Sequence, residues 1–209
     1  MNIKAFITLI LSCLLLLGSS AFAKDDAPHS SCTESSFRSS GQYRINGDGT
    51  VTDTKTGLMW KRCSEGQSGD SCSGKATKYK WEEAMSKVRS DVSFAGHSDW
   101  RTPTIEELRT LVYCSNGTPQ EEAWGHYCSG KDSKAGTYQK PTINQIAFPN
   151  TPSYWYWSSS PVAGYDNYAW SVSNYGHDNY AWSVSFNYGG DGWGFKVNAF
   201  QVRLVRNGQ

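Results

Sequence analysis

The sequence runs to 209 residues, with 20 Lys and Arg against 19 Asp and Glu, 14% aromatic residues including 9 Trp and 12 Tyr, and only 19% charged residues. A chain of this size and make-up is one domain's worth of globular protein, able to bury roughly 70% of its unfolded surface, and is not disordered, collagenous or coiled-coil. The near-zero charge balance excludes a general nucleic-acid binder, whose affinity rests on neutralising phosphates.

Residues 1–23 read as a secretory signal: Lys4, an apolar run over 5–17, then Ala21-Phe22-Ala23 ahead of Lys24-Asp25-Asp26. Cleavage at Cys13, as in a lipoprotein, fits less well because the apolar run continues to Leu17. No other stretch reaches the roughly 20 apolar residues that span a bilayer, so no transmembrane segment is expected in the mature chain. Residues 24–42 are polar and Ser-rich and read as a flexible leader, with the domain over 43–209. In an exported chain Cys32, Cys63, Cys72, Cys114 and Cys128 favour disulfides over metal. The pairs Cys63 with Cys72 and Cys114 with Cys128 close short loops, one of about 15 residues stabilising by about 3 kcal/mol. Cys32 is left over as the odd thiol. No C-x-x-C occurs and the four His are scattered, so no metal or cofactor is expected.

Turn residues at Asn46-Gly-Asp-Gly49 and Lys55-Thr-Gly57 flank Val51 to Thr54 and precede Leu58-Met-Trp60, which predicts an opening hairpin. The first turn lacks the alternating acids and terminal Glu of a calcium loop. Trp81, Ala84, Met85 and Val88 fall on one helical face. A second helix follows Pro103, where Thr104 and Glu107 form a capping box and Ile105, Leu108, Leu111 and Val112 the apolar stripe. The Glu pairs at 82/83, 106/107 and 121/122 diverge around their elements and read as solvated faces. Between the helices, Trp100 is expected in the core, with Asp99 and Arg101 tying loops together by charge-assisted hydrogen bonds. A catalytic His97–Asp99 pair would need a nucleophile, and neither a G-x-S-x-G elbow nor a His-partnered Cys is present. The residues therefore point away from an enzyme.

The last third is an aromatic, Ser/Asn/Gly-rich β region, with five Trp and seven Tyr between Tyr154 and Phe195. It carries a tandem repeat: Asp166 to Ser173 and Asp178 to Ser185 are identical, twelve residues apart. An even offset keeps both copies on the same facing, and a hairpin between them, with Val172 opposite Trp182 and Trp170 opposite Val184, is expected.

The order of these pieces resembles the Lcl-type C-terminal domain family, named after the C-terminal domain of a collagen-like adhesin. The resemblance is carried by Val51 to Trp60, Trp81 to Ala84, Gly96 to Leu108, Ile143-Asn144, Phe148-Pro149, Tyr156 to Ser159, Tyr180 to Phe186, and Val202 to Arg206. It implies an α+β, C-type-lectin-like fold of the formylglycine-generating-enzyme type: two helices packed on a small twisted antiparallel sheet, termini together, long loops. The enzyme branch of that fold holds copper with a late cysteine pair, and no Cys follows Cys128 here. The acid-containing triplets of calcium-dependent sugar binding are missing as well. A narrower likeness is to variable proteins of diversity-generating retroelements, whose diversified sites share the Tyr/Asn/Asp/Ser/His make-up of residues 165–194.

These features point to an exported domain, periplasmic, secreted or displayed at the surface, acting as an adhesin or receptor-binding module. Its partner would be a host-surface or neighbouring-cell protein or glycan. Tyr and Trp supply rigid contact area and Ser, Gly and Asn adaptable hydrogen bonds. The residues expected to be exposed for contact are Tyr165, Asn167, Tyr175, His177, Asn179, Asn187, Tyr188, Asp191 and Trp193, all in turn-like segments. Trp157, Trp170, Val172, Trp182 and Val184 are expected in the core. A structural envelope protein and an exported hydrolase are the alternatives. Lys75, Lys78, Lys80, Lys87 and Arg89 offer a basic surface interrupted by Glu82 and Glu83.

Overall fold

Short apolar runs split by glycine turns fold as a meander in the computed structural model, which describes residues 38–90, 93–116, 120–122, 125–128, 138–162 and 179–208, within a unit spanning Ser35–Gln209. Its strands are β1 (Arg38–Ser40), β2 (Tyr43–Ile45), β3 (Thr50–Asp53) and β4 (Leu58–Lys61), antiparallel neighbours in that order. The opening hairpin is thus as expected. Gly47 and Gly49 sit at φ of 80° and 84°, where a side chain would be strained. The Asp48 carboxylate accepts from the Thr50 amide at 2.9 Å and hydroxyl at 2.6 Å, so it serves the turn itself. At the end of the stretch expected as a leader, residues 38–40 pair with β2, supplying hydrogen-bond partners to a strand edge.

After the meander come β5 (Lys78–Tyr79), α1 (Trp81–Ser90), α2 (Ile105–Arg109) and the hairpin β6 (Gln120–Glu122) with β7 (Gly125–Tyr127). The C-terminal part adds β8 (Trp155–Pro161), β9 (Tyr180–Ser185), β10 (Gly190–Phe195), β11 (Phe200–Gln201) and β12 (Val205–Asn207). There are two principal sheets where one was expected. The chain's last strand, β12, joins β4 at the edge of the meander, and the second sheet runs β10-β9-β8-β11-β5. Among the described residues all strand pairs are antiparallel except β11 with β8.

Alternation along the second sheet sends neighbouring residues to opposite faces. Tyr156 and Val184 enter one core with Ile105 and Leu108 from α2, Leu111 just beyond it, and Val51, Trp60 and Val205 from the meander and its joined last strand. Trp157 and Ala181 enter another with Ala84 of α1, Trp100 and Leu204. The two helices therefore cover opposite faces. Trp157 and Val184 are core as expected and Trp182 packs against it half-buried, while Trp170 and Val172 lie outside the described residues.

Both disulfides form, Cys63–Cys72 and Cys114–Cys128, each with Cα atoms 5.1 Å apart. The capping box of α2 is complete, and after Arg109 the backbone tightens into i to i+3 bonds that still bury Leu111. Trp100 is buried, Asp99 accepts from Arg206 at 2.7 Å, and Arg101 grips Glu107 through two hydrogen bonds of 2.6 Å. Glu107 is thereby an exception to the solvated faces of Glu82, Glu83 and Glu106. The Arg101 hydrogen bonds first, then the Thr104 amide, hold its carboxyl below the ordinary value of 4.5. A depressed carboxyl stabilises the fold above that ordinary value, and the contribution is lost as pH falls through the lower folded value. Glu107→Gln is expected to cost about 1 kcal/mol at neutral pH, kept small by the half-exposed guanidinium, and the gap to wild type closes as pH falls from the ordinary carboxyl value through the lower folded one. Melting temperature against pH checks this.

A buried guanidinium joins the meander to the rest. Arg203, fully enclosed, donates to the carbonyls of Lys61 and Arg62, to Ser64 Oγ at 3.2 Å and to Thr151 Oγ1 at 2.8 Å, and lies 4.8 Å from the Phe148 ring. Tyr156 and Ser64 share a 2.7 Å hydrogen bond beside it. Desolvation lowers the Arg203 pKa and raises that of Tyr156.

The hairpin expected between the two repeat copies is overturned. Both edges of β9, the second copy, are already taken, by β8 and by β10. The first copy lies outside the described residues. Because the Val162 amide bonds the Tyr180 carbonyl, the ends of the intervening segment are already adjacent. Deleting residues 166–177 leaves five residues to close that turn, and loop closure depends only weakly on length. Such a variant is expected to melt within about 4 °C of wild type.

Candidate functional site

The segment Gly190-Asp-Gly-Trp-Gly-Phe195 alternates glycine with larger residues, and as a strand it places all three glycines on one face. There Trp155 lies over Gly192 and Phe200 and Trp157 over Gly194, where a Cβ would meet Phe200 at 2.7 Å. Glycine is a poor strand former, but here it admits rings onto the backbone. The opposite face carries Asp191, Trp193 and Phe195, aligned across the ladder with Val184, Trp182 and Tyr180.

Along this face the environment changes from covered to open. At the α2 end Val184 is enclosed and the Asp191 carboxylate is held by Arg109 at 2.5 Å, with the guanidinium 5.8 Å from the Trp182 ring. At the far end Tyr180 meets Trp193 edge-on at 4.8 Å and Phe195 at 4.4 Å. Trp193 is 60% exposed, Phe195 39%, and Val197 and Asn179 lie open beside them. The Lys196 amide donates to the Asn179 carbonyl at 2.7 Å, closing the corner. The result is a fixed aromatic corner on the surface, with exposed Asn179 at its rim.

The structure divides the residues expected from the sequence. Asn179 and Trp193 come together at this corner. Asn187 is exposed and Tyr188 half-buried edge-on against Trp155, at the other end of the hairpin, roughly 16 Å away at about 3.3 Å per residue. Asp191 is a correction: it is a buried ion-pair partner, because the strand register carries it beneath α2. Neither Asp191 nor Trp193 lies in a turn. Tyr165, Asn167, Tyr175 and His177 fall outside the described residues. Tyr180, Phe195 and Val197 were not expected at the surface, although the Gly-x-Gly-x-Gly alternation is the signal for the strand that displays Phe195 beside Trp193.

The architecture is that of a disulfide-stapled α+β domain, mostly sheet, carrying two short helices. Residues 49–206 match the family model described as the Lcl C-terminal domain, and the chain belongs to that family. No curated protein and no solved structure matches it significantly. Among the described residues no helix is long and apolar enough to cross a membrane.

Proposed function

We propose that the chain is an exported, surface-displayed binding domain of C-type-lectin-like fold. It acts as an adhesin or receptor-binding module and engages a host-surface or neighbouring-cell glycan or protein through the corner of Trp193, Tyr180 and Phe195. The observation that carries this reading is the exposure of Trp193 on a strand whose other face is packed against rings. Exposed, preorganised aromatics are the side chains that dominate contact energies, and they lose little entropy on binding. Two disulfides suit export, and helices on opposite faces of a largely antiparallel sheet with β12 returned to the meander support the fold assignment. The role is one of binding without catalysis: Asp99, the acid nearest His97 in sequence, is engaged by Arg206. The Tyr/Asn/Ser-rich composition of residues 165–194 supports diversification by a retroelement, which sequencing the locus across sibling isolates tests.

A glycan array and a panel of host-surface proteins probed with the mature chain test the main reading. Capture is expected for wild type and is reduced on the order of tenfold or more by Trp193→Ala. Undiminished capture by Trp193→Ala overturns the assignment to this corner.

A further inference from the structure

A second concave feature lies apart from the aromatic corner, between α1 and the segment Arg101 to Thr104 that leads into α2. It is a cleft of about 540 Å³ lined by Trp81, Glu82, Met85, Arg101, Thr102, Thr104 and Ser159. That volume falls within the range of small-ligand sites, roughly 300–1,000 Å³. One wall is apolar and immobile. Trp81 donates from Nε1 to the Ser158 carbonyl at 2.9 Å and from its amide to the Lys196 carbonyl at 3.0 Å, and Lys196 Nζ sits 4.3 Å from its ring centroid. Met85, one helical turn on, extends the wall. An indole fixed in this way gives up no rotamer freedom when a ligand packs against it.

The other wall offers hydroxyls. Thr104 Oγ1 accepts the Glu107 amide and keeps its own proton to donate, while Ser159 Oγ donates to the Pro103 carbonyl at 3.1 Å and keeps lone pairs to accept. The positive charge of Arg101 is matched by Glu107, so the guanidinium does not select an anion. Glu82, exposed at the cleft, leaves a carboxylate able to accept from ligand hydroxyls and unfavourable to a negatively charged ligand. An apolar ring wall, opposed hydroxyls and one acceptor carboxylate match a molecule with an apolar face and several hydroxyls. They do not match a lipid tail or a phosphate.

We propose that this cleft binds one neutral pyranose unit, a hexose or N-acetylhexosamine. The proposal rests on the cleft alone and stands or falls independently of the aromatic corner. The probes are methyl mannoside, methyl galactoside, N-acetylglucosamine and glucose 6-sulfate, titrated into the mature chain while the indole N–H signals of Trp81 and Trp193 are followed by NMR. At least one neutral sugar is expected to shift Trp81 saturably with Trp193 unmoved, and more strongly than the sulfated sugar. Glu82→Gln, an exposed position with no effect expected on melting, weakens that binding about tenfold, the worth of a hydrogen bond to a charged acceptor. Ser159→Ala serves as an independent second variant and also weakens it. Absence of a Trp81 shift with every neutral sugar overturns the proposal, as do shifts confined to Trp193, preference for the sulfated sugar, or unchanged affinity in both variants. Shifts confined to Trp193 would at the same time support the corner as the sugar site.

Discussion

Replacing Arg203 with alanine is expected to lower the unfolding free energy by at least about 3 kcal/mol, near 10 °C in melting temperature for a domain of this size. The guanidinium is fully enclosed, and the hydrogen bonds that offset its desolvation go to neutral acceptors: two carbonyls at the end of β4 and the hydroxyls of Ser64 and Thr151. Truncation removes the donors and leaves four acceptors facing a cavity, and a buried polar group stripped of its partner costs about 1–3 kcal/mol. Relaxation and water entry recover part of that sum. Arg203→Met refills the volume without the donors and is expected to lie between alanine and wild type. Arg203→Lys keeps a charge but has no planar fork to reach both the β4 carbonyls and Thr151, so it also destabilises. Denaturant unfolding of the three variants checks the order. A loss under about 1 kcal/mol for alanine would show that the carbonyls and hydroxyls find other partners.

The importance of Arg203 was not legible in the sequence, whereas Thr104 and Glu107 were. A capping box is written within four residues, and the apolar stripe of α1 within eight. The short disulfide loops and the turn glycines before β3 and β4 are equally local. Arg203 reaches carbonyls 141 and 142 positions away, and nothing near it in sequence names them. The same holds for the parallel pairing of β11 with β8, and for the division of the strands between two sheets. The repeat misled for a related reason. Two like strands are suited to pairing with each other, but β9 had better neighbours in β8 and β10, whose rings and glycines interlock across it. At the candidate site, residues 190–195 read as a turn because glycine is rare in strands. Only the packing of Trp155, Trp157 and Phe200 shows that the glycines make room for rings.

That packing makes Asp191 and Trp193, two residues apart on one strand face, respond oppositely. Asp191→Ala is expected to destabilise by about 3 kcal/mol, the low end for breaking an enclosed ion pair, since Arg109 is only partly covered. Its effect reaches beyond the pair, because Arg109 also lies over Trp182 and its Nε is already enclosed with no hydrogen-bond partner among the described residues. Trp193→Ala is expected to cost about 1 kcal/mol, the worth of one edge-to-face contact with Tyr180 and little burial. In binding the ranking inverts: Trp193 carries the contact, and Asp191 acts only by holding the strand. A double-mutant cycle separates the roles. Arg109→Met with Asp191→Leu is expected to recover most of the stability lost by either truncation, since a well-packed apolar pair replaces an enclosed ionic one at little cost. Capture in that double variant should persist, because Trp193 and Tyr180 are untouched. If capture instead follows Asp191 whatever the stability, the carboxylate itself meets the ligand and the buried ion pair must open on binding.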